Sequence, residues 1–128
     1  MVEILLSILI SAIVLGSLYS LLASGLSLIW STLGVFNYAH GALLLLGAYT
    51  IWSLSERAGL PVVLAFVIAV PVMAGLGALL EVIAVRPFVN RPNGTLLVMV
   101  STLAVASAVE GIAQLGWGPQ HRQIQPLT

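Results

Sequence analysis

Asn37 and His40 are the two side chains best able to do chemistry in the long apolar first half of the chain. They are three residues apart, so on a helix they share one face. Gly34 and Gly41 flank them and permit an irregular backbone or the close approach of another chain segment. In apolar surroundings an amide and an imidazole need hydrogen-bond partners. Two interpretations follow: a polar clamp that fixes a broken helix, or part of a translocation path for a polar solute.

The sequence gives little support for a catalytic site or a metal-binding site. A zinc site needs three or four ligands, yet no carboxylate lies near His40 in sequence, and His121 stands far away in a polar tail. The chain has no cysteine, which excludes disulfides and thiolate nucleophiles. It also lacks a glycine-rich phosphate loop and paired carboxylates. We therefore expect no catalytic residues, no metal, no cofactor and no enzymatic activity of its own.

The composition indicates an integral membrane protein. Of the 128 residues, 60% are apolar and only 6% are charged, against roughly 25% charged residues in a soluble domain. Such a chain cannot cover a soluble surface with charge. Its formal net charge of zero offers no basic field for nucleic acid, so we expect membrane lipid and no nucleic acid among its partners.

The elements that must position Asn37 and His40 are apolar helices. Residues 4–55, 58–80 and 92–109 carry no formal charge, and a spanning helix needs about 20 predominantly apolar residues. We predict an all-α, polytopic helix bundle, with the second element broken or re-entrant near Gly34–Gly41. The transmembrane region covers residues 1–115, followed by a polar extramembrane tail at 116–128. The predicted helices are 4–30, 36–54, 61–85 and 95–115.

Small residues indicate where these helices pack. Four of them recur every fourth position on the first helix, on one face, where they let a second helix approach closely. Glycines in the second and third helices are interpreted in the same way, as sites of helix packing. We favour packing over direct contact with a substrate for these residues. The residues predicted to pack are Ala12, Gly16, Ser20, Ser24, Gly41, Gly47 and Gly75.

Few charges are available to set the orientation. The loop that contains Arg86 and Arg91 has two basic residues and no acid, so the positive-inside rule places it in the cytoplasm. If both earlier elements span fully, the N-terminus lies outside; if the second is re-entrant, it lies inside. Glu81 is interpreted as an interfacial charge or an ion-pair partner of Arg86, with an intramembrane relay as the alternative.

Three segments, in order, resemble the permeases of bacterial branched-chain amino-acid ABC transporters. Residues 16–26 are similar to that family's Gly-Ser/Ala-x-Tyr-Ala-Leu-x-Ala-x-Gly-Leu pattern, and residues 81–88 to its Glu-x-x-x-x-Arg-Pro-Leu boundary. The most specific resemblance is residues 34–41, which match Gly-x-x-Asn-Phe-Ala-His-Gly with Tyr38 in place of Phe. An apolar helix with Gly47 follows, as in the family.

The resemblance implies a function. Such a permease subunit carries branched-chain or related amino acids across the inner membrane, and ATP hydrolysis belongs to separate subunits. The implied partners are a second permease subunit, cytoplasmic ATPase subunits and a periplasmic substrate-binding protein. Permeases of this family are considerably longer, so we expect the N-terminal part of one, either truncated or encoded as a split subunit. The alternative is a small structural or assembly subunit of another membrane complex.

Overall fold

The computed structural model describes residues 1–120, and this part of the chain is built from helices with no strand. The predicted all-α fold is confirmed. The elements are α1 (Val2–Leu33), α2 (His40–Trp52), α3 (Val62–Leu80) and α4 (Gly94–Trp117). Two π-helical segments, Ser53–Arg57 and Glu81–Val85, continue α2 and α3 without a break.

The chain divides into two compact units, the first of which ends at Phe36. This unit is essentially α1, a 32-residue helix with no buried residue. Gly34 ends the helix in the left-handed region (φ 65°), and its backbone N–H donates to the carbonyl of Trp30 at 2.8 Å. The ring of Trp30 stacks on Phe36 at a centroid distance of 4.2 Å. A glycine C-cap of this kind stops the helix cleanly, since an L side chain rarely adopts that conformation.

Within residues 1–120, three helices are long and apolar enough to cross a membrane: α1, α3 with its π segment, and α4. With the π segment that continues it, α2 reaches from His40 to Arg57 and rises about 27 Å, but it carries His40 at one end and Glu56 and Arg57 at the other and is not one of these apolar candidate spans. The chain is therefore a multi-pass membrane protein in which the second apolar element differs in kind from the other three.

In the second unit, which begins at Asn37, α2 packs against both α3 and α4. The residues buried between these helices are mostly small, so the helix axes can approach closely. Large apolar side chains point outward instead, as expected where the surrounding solvent is lipid. The buried helical residues are Ala42, Ala65, Ala69, Leu80, Ala84, Val85, Gly94, Val98, Thr102, Ala106 and Ala113.

The helices α2 and α4 run side by side in the same direction. Near the start of α2, the N–H of Tyr38 bonds to Thr102; at its far end, Ser53 bonds to Trp117. Both pairs are separated by 64 residues in sequence, so the two helices keep one alignment along this length. Thr102 lies about 12 Å along the axis from Gly94. The segment before α2 therefore meets α4 well inside the span, not at its end.

Several element boundaries differ from the sequence prediction. The first helix, predicted as 4–30, extends from Val2 to Leu33. The second helix was predicted from residue 36 but begins at His40, because residues 34–39 form the helix cap and a turn. The predicted tail begins at residue 116, yet α4 continues through Trp117. The rest of that tail, from residue 121, lies outside the described residues.

Candidate functional site

The turn that precedes α2 is organised by Asn37. The side-chain oxygen Oδ1 of Asn37 accepts a hydrogen bond from the backbone N–H of Ala39 at 3.0 Å. The carbonyl oxygen of the same residue accepts from the backbone N–H of His40 at 3.3 Å. An asparagine that bonds to the backbone two residues on closes a local turn. Asn37 thus satisfies two backbone donors at the point where α2 starts.

His40 is the first residue of α2 and is half-buried. Its backbone N–H is used by Asn37, and within residues 1–120 the structure gives its imidazole no hydrogen-bond partner. Asn37 and His40, the two polar residues identified from the sequence, therefore lie close together, but their side chains differ in hydrogen bonding. The amide of Asn37 is occupied by the backbone, whereas the imidazole of His40 remains able to exchange hydrogen bonds with water or a solute.

Thr102, on α4, fixes this turn to the helix bundle. Its hydroxyl oxygen accepts from the backbone N–H of Tyr38 at 3.1 Å and donates to the carbonyl of Val98 at 2.8 Å. Thr102 is fully buried. Sequence reasoning did not identify it, although a hydroxyl within an apolar helix is a weak signal, because such groups can hydrogen-bond across helices.

The other end of α2 is attached to α4 by aromatic side chains. The indole N–H of Trp117 donates to the hydroxyl oxygen of Ser53 at 2.6 Å, and its ring stacks on Tyr49 at 5.2 Å between centroids. The guanidinium of Arg57 lies 5.5 Å from the ring centroid of Trp52. Amphipathic rings with one polar end are typical of the membrane–water interface. We expect this end of the unit to lie at the headgroup level.

An apolar cavity of about 150 Å³ lies among α2, α3 and α4. It is partly open, and its lining includes Ala39, one residue before His40. Its lining contains only aliphatic side chains, so it can hold hydrocarbon and offers nothing to a charged group. The lining residues are Ala39, Leu43, Leu46, Leu76, Leu79, Leu80, Ile83, Val105 and Val109.

The glycines predicted to pack occupy different environments. A Cβ placed on Gly47 would lie 3.6 Å from Cγ of Met73, which is ordinary contact between α2 and α3. A Cβ on Gly41 or Gly75 would meet no other atom of the described chain within 4 Å. Gly47 therefore packs inside this chain, and a packing role for the other two would need a partner outside it.

The strip of small residues on α1 is exposed along its length. The members Ala12, Gly16, Ser20 and Ser24 are all exposed in this chain. The hydroxyl of Ser24 donates to the carbonyl of Ser20 at 2.7 Å, so it does not need a polar partner from outside. The strip can face either lipid or another helix, and its role in packing stays a prediction.

Gly16→Leu is expected to weaken association of α1 with a neighbouring transmembrane helix, because an isobutyl group would fill the strip of close contact. Ile13→Leu is the matched control, since it nearly conserves volume on the same exposed helix. Co-purification of the partner subunit measures the effect, and we expect recovery with Gly16→Leu to fall at least five-fold. Equal recovery of the partner with both variants would show that the strip is not a packing surface.

The loop that joins α3 to α4 carries Arg86 and Arg91, both exposed. Nε of Arg86 lies 3.8 Å from a carboxylate oxygen of Glu81, and both side chains are substantially exposed. Such a pair contributes little to stability. The loop ends where Asn93, in the left-handed region (φ 60°), precedes Gly94 at the start of α4. Backbone bonds from Arg91 to Phe88 and from Gly94 to Arg91 give the loop a defined shape.

We expect this loop to face the cytoplasm, as its two arginines predict. The chain has no native cysteine, so Asn90→Cys places a single thiol on the exposed loop. In intact cells a membrane-impermeant thiol reagent should leave this cysteine unlabelled, and permeabilised cells should label it fully. Efficient labelling of intact cells would reverse the orientation of α3 and α4.

Comparison with protein families gives one match, which covers nearly the whole chain. Residues 8–126 match the model described as the branched-chain amino acid transport system permease component. The matched range includes Asn37, His40 and the loop arginines. No solved structure matches the chain.

Curated relatives agree with this match. The chain is 24% identical over 127 residues to the high-affinity branched-chain amino acid transport system permease protein BraD of Pseudomonas aeruginosa, covering 93% of this chain and 41% of that protein. It is 25% identical to LivH of Escherichia coli K12, covering 84% and 37%. It is 32% identical to a probable branched-chain amino acid transport permease protein LivH of Methanocaldococcus jannaschii, covering 82% and 33%. The chain thus spans about two fifths or less of the length of these relatives.

Proposed function

The chain belongs to the family of branched-chain amino acid transport system permease components, and we propose that it forms part of the transmembrane path of an ABC importer for branched-chain or related amino acids. The membrane concerned is the bacterial inner membrane. ATP hydrolysis belongs to cytoplasmic ATPase subunits, and a periplasmic binding protein delivers the substrate. A second permease subunit supplies the other side of the path.

The observation that carries this proposal is the match over residues 8–126, combined with the turn that this range contains. Asn37 lies in a non-helical turn that meets α4 well inside its span, and His40 follows this turn as the first residue of α2. Irregular backbone at membrane depth is tolerated where it is buried in protein or lines a water-filled cavity. A path for an amino acid needs such a place, because an ammonium and a carboxylate group cannot cross hydrocarbon without polar partners.

The described residues suggest that different parts of this path have different roles toward the substrate. The imidazole of His40 is placed to exchange hydrogen bonds with the polar groups of a passing amino acid, while Asn37 keeps the turn in shape. The aliphatic cavity whose lining includes Ala39 suits an alkyl side chain. A branched-chain amino acid has polar groups next to an alkyl side chain, and the site offers a polar position next to an apolar one. The chain itself supplies positioning and passage, and the partner ATPases supply the energy.

Uptake of radiolabelled leucine by the source cells tests the proposal. Deleting the coding sequence should reduce uptake to background, and restoring it should recover uptake when the partner subunits are present. A control amino acid carried by an unrelated system should enter at an unchanged rate. Unchanged uptake of leucine, isoleucine, valine and related amino acids after deletion would reject the importer function.

A further inference from the structure

We propose that Thr102 is a positioning residue that holds the Asn37–His40 turn at a fixed depth in the membrane. The inference rests on the proposed function, because the turn is the part of the path that it positions. The contact that carries it is the hydrogen bond from the backbone N–H of Tyr38 to the hydroxyl oxygen of Thr102, 3.1 Å long. Tyr38 stands between Asn37 and the start of α2, so this bond acts on the centre of the turn.

The need for Thr102 follows from where the turn lies. The N–H of Tyr38 precedes α2 and cannot join the hydrogen-bond ladder of that helix. About 12 Å of α4 separate Thr102 from Gly94, so the turn meets α4 inside the span, and at the buried hydroxyl of Thr102 neither lipid nor water offers another acceptor. An unpaired backbone donor at that depth is costly. Thr102 supplies the acceptor from a neighbouring helix.

The hydroxyl of Thr102 is itself held in one orientation. It donates its proton to the carbonyl of Val98 at 2.8 Å, with Met99 as a second acceptor at 3.1 Å. With the proton directed along α4, a lone pair of the oxygen faces Tyr38. Thr102 is also completely buried, so water cannot take its place. The bond therefore fixes the turn with respect to α4.

The contacts at the opposite end of α2 show that the bond between Tyr38 and Thr102 is not needed to hold α2 against α4. The bond between Ser53 and Trp117 and the stacking of Tyr49 already hold the two helices together at the far end. Without Thr102, α2 would stay attached there while its first turn, with His40, could shift along or away from α4. The consequence is a change in the site, with the bundle still assembled.

The test uses Thr102→Val, which keeps the shape and removes the hydroxyl, and Thr102→Ser, which restores it. Thr50→Val is the matched control, because in the described part of the chain the hydroxyl of Thr50 bonds to the carbonyl of Leu46 in its own helix and to no other helix. The first readout is the labelling rate of Tyr38→Cys by a small water-soluble thiol reagent. The side chain of Tyr38 is 55% exposed and the chain has no other cysteine. The second readout is the KM for leucine uptake by the assembled transporter.

We expect Thr102→Val to accumulate to within two-fold of wild type, to change the labelling rate of the cysteine at position 38 at least three-fold, and to raise KM roughly five-fold. The last figure corresponds to the loss of about one hydrogen bond. Thr102→Ser should restore both readouts, and Thr50→Val should change neither. Unchanged labelling and KM in an assembled Thr102→Val transporter would overturn the proposal. Loss of assembly with normal labelling and KM in the surviving complex would overturn it too.

The labelling comparison needs no transport. If wild-type membranes show no uptake of leucine, isoleucine, valine or related amino acids, the proposed function fails, yet the cysteine at position 38 still reports whether Thr102 holds the turn. If uptake is normal but Thr102→Val changes neither the labelling rate nor KM, only the positioning role fails. The two failures are thus distinguishable.

Discussion

Gly94→Ala is expected to lower the amount of folded protein in the membrane more than ten-fold. A Cβ at this position would lie 2.5 Å from the carbonyl oxygen of Val89 and 2.7 Å from that of Phe88. Both neighbours are backbone atoms of the preceding loop, so no side chain can rotate away. Forcing atoms into a well-packed site costs about 3 kcal/mol or more when the backbone must move.

Fluorescence-detected gel filtration after heating a detergent extract measures this effect. Gly111→Ala is the matched control, because it lies on the same helix and a Cβ there meets no described atom within 4 Å. That substitution should be neutral or stabilising, since alanine favours a helix by about 1 kcal/mol over glycine. If the two variants melt at the same temperature, the close approach of the loop to α4 is wrong.

The second large effect is a difference between substitutions of Asn37 and of His40: the first should reduce assembly of the complex and the second should reduce uptake. Asn37→Ala removes the acceptor of the Ala39 N–H and should cost about 1–3 kcal/mol. We therefore expect less assembled complex but normal uptake per complex. His40→Ala removes a side chain that makes no hydrogen bond to any residue of 1–120, so assembly should be normal and uptake per complex should fall about ten-fold.

Quantifying the complex in membranes and dividing the leucine uptake rate by that amount distinguishes the two effects. Asn37→Ser, which retains a short oxygen acceptor, should recover much of the lost complex. His40→Gln, which retains a polar side chain, should recover part of the lost uptake. A shared loss of complex, with normal uptake per complex in both variants, would mean that the pair acts only as a clamp.

The helices could be predicted from sequence because their signal is local. Long charge-free stretches and the polar turn at 55–61 define where apolar helices can lie, and the predicted third and fourth helices correspond to observed ones. The start of α2 was misplaced by four residues for a physical reason. The left-handed cap at Gly34 and the turn closed by Asn37 consume residues that by composition alone look like helix.

The partners of the turn could not be predicted in this way. Thr102 and Tyr38 are separated by 64 residues, and a threonine in an apolar helix usually satisfies itself by bonding to its own i−4 carbonyl, as Thr50 does. Only the alignment of α2 with α4 shows that Thr102 has a second bond. Gly94 was difficult to predict for a similar reason. Asn93–Gly94 looks like an ordinary turn signal, whereas the small size of Gly94 is required by backbone carbonyl groups five and six residues earlier.

The π-helical segments at the ends of α2 and α3 bear on how the chain should be aligned with its relatives. In each, a backbone N–H reaches five residues back, from Ala58 to Ser53 and from Arg86 to Glu81, so the turn holds one residue more than an α-helical turn. Losing one residue there would restore an ordinary α-helical turn and leave both the helix before it and the residues beyond it facing nearly the same directions. One-residue gaps in alignments with distant permeases are therefore best placed at 53–57 and 81–85. A gap within 40–52 would instead break the register of α2 against α4.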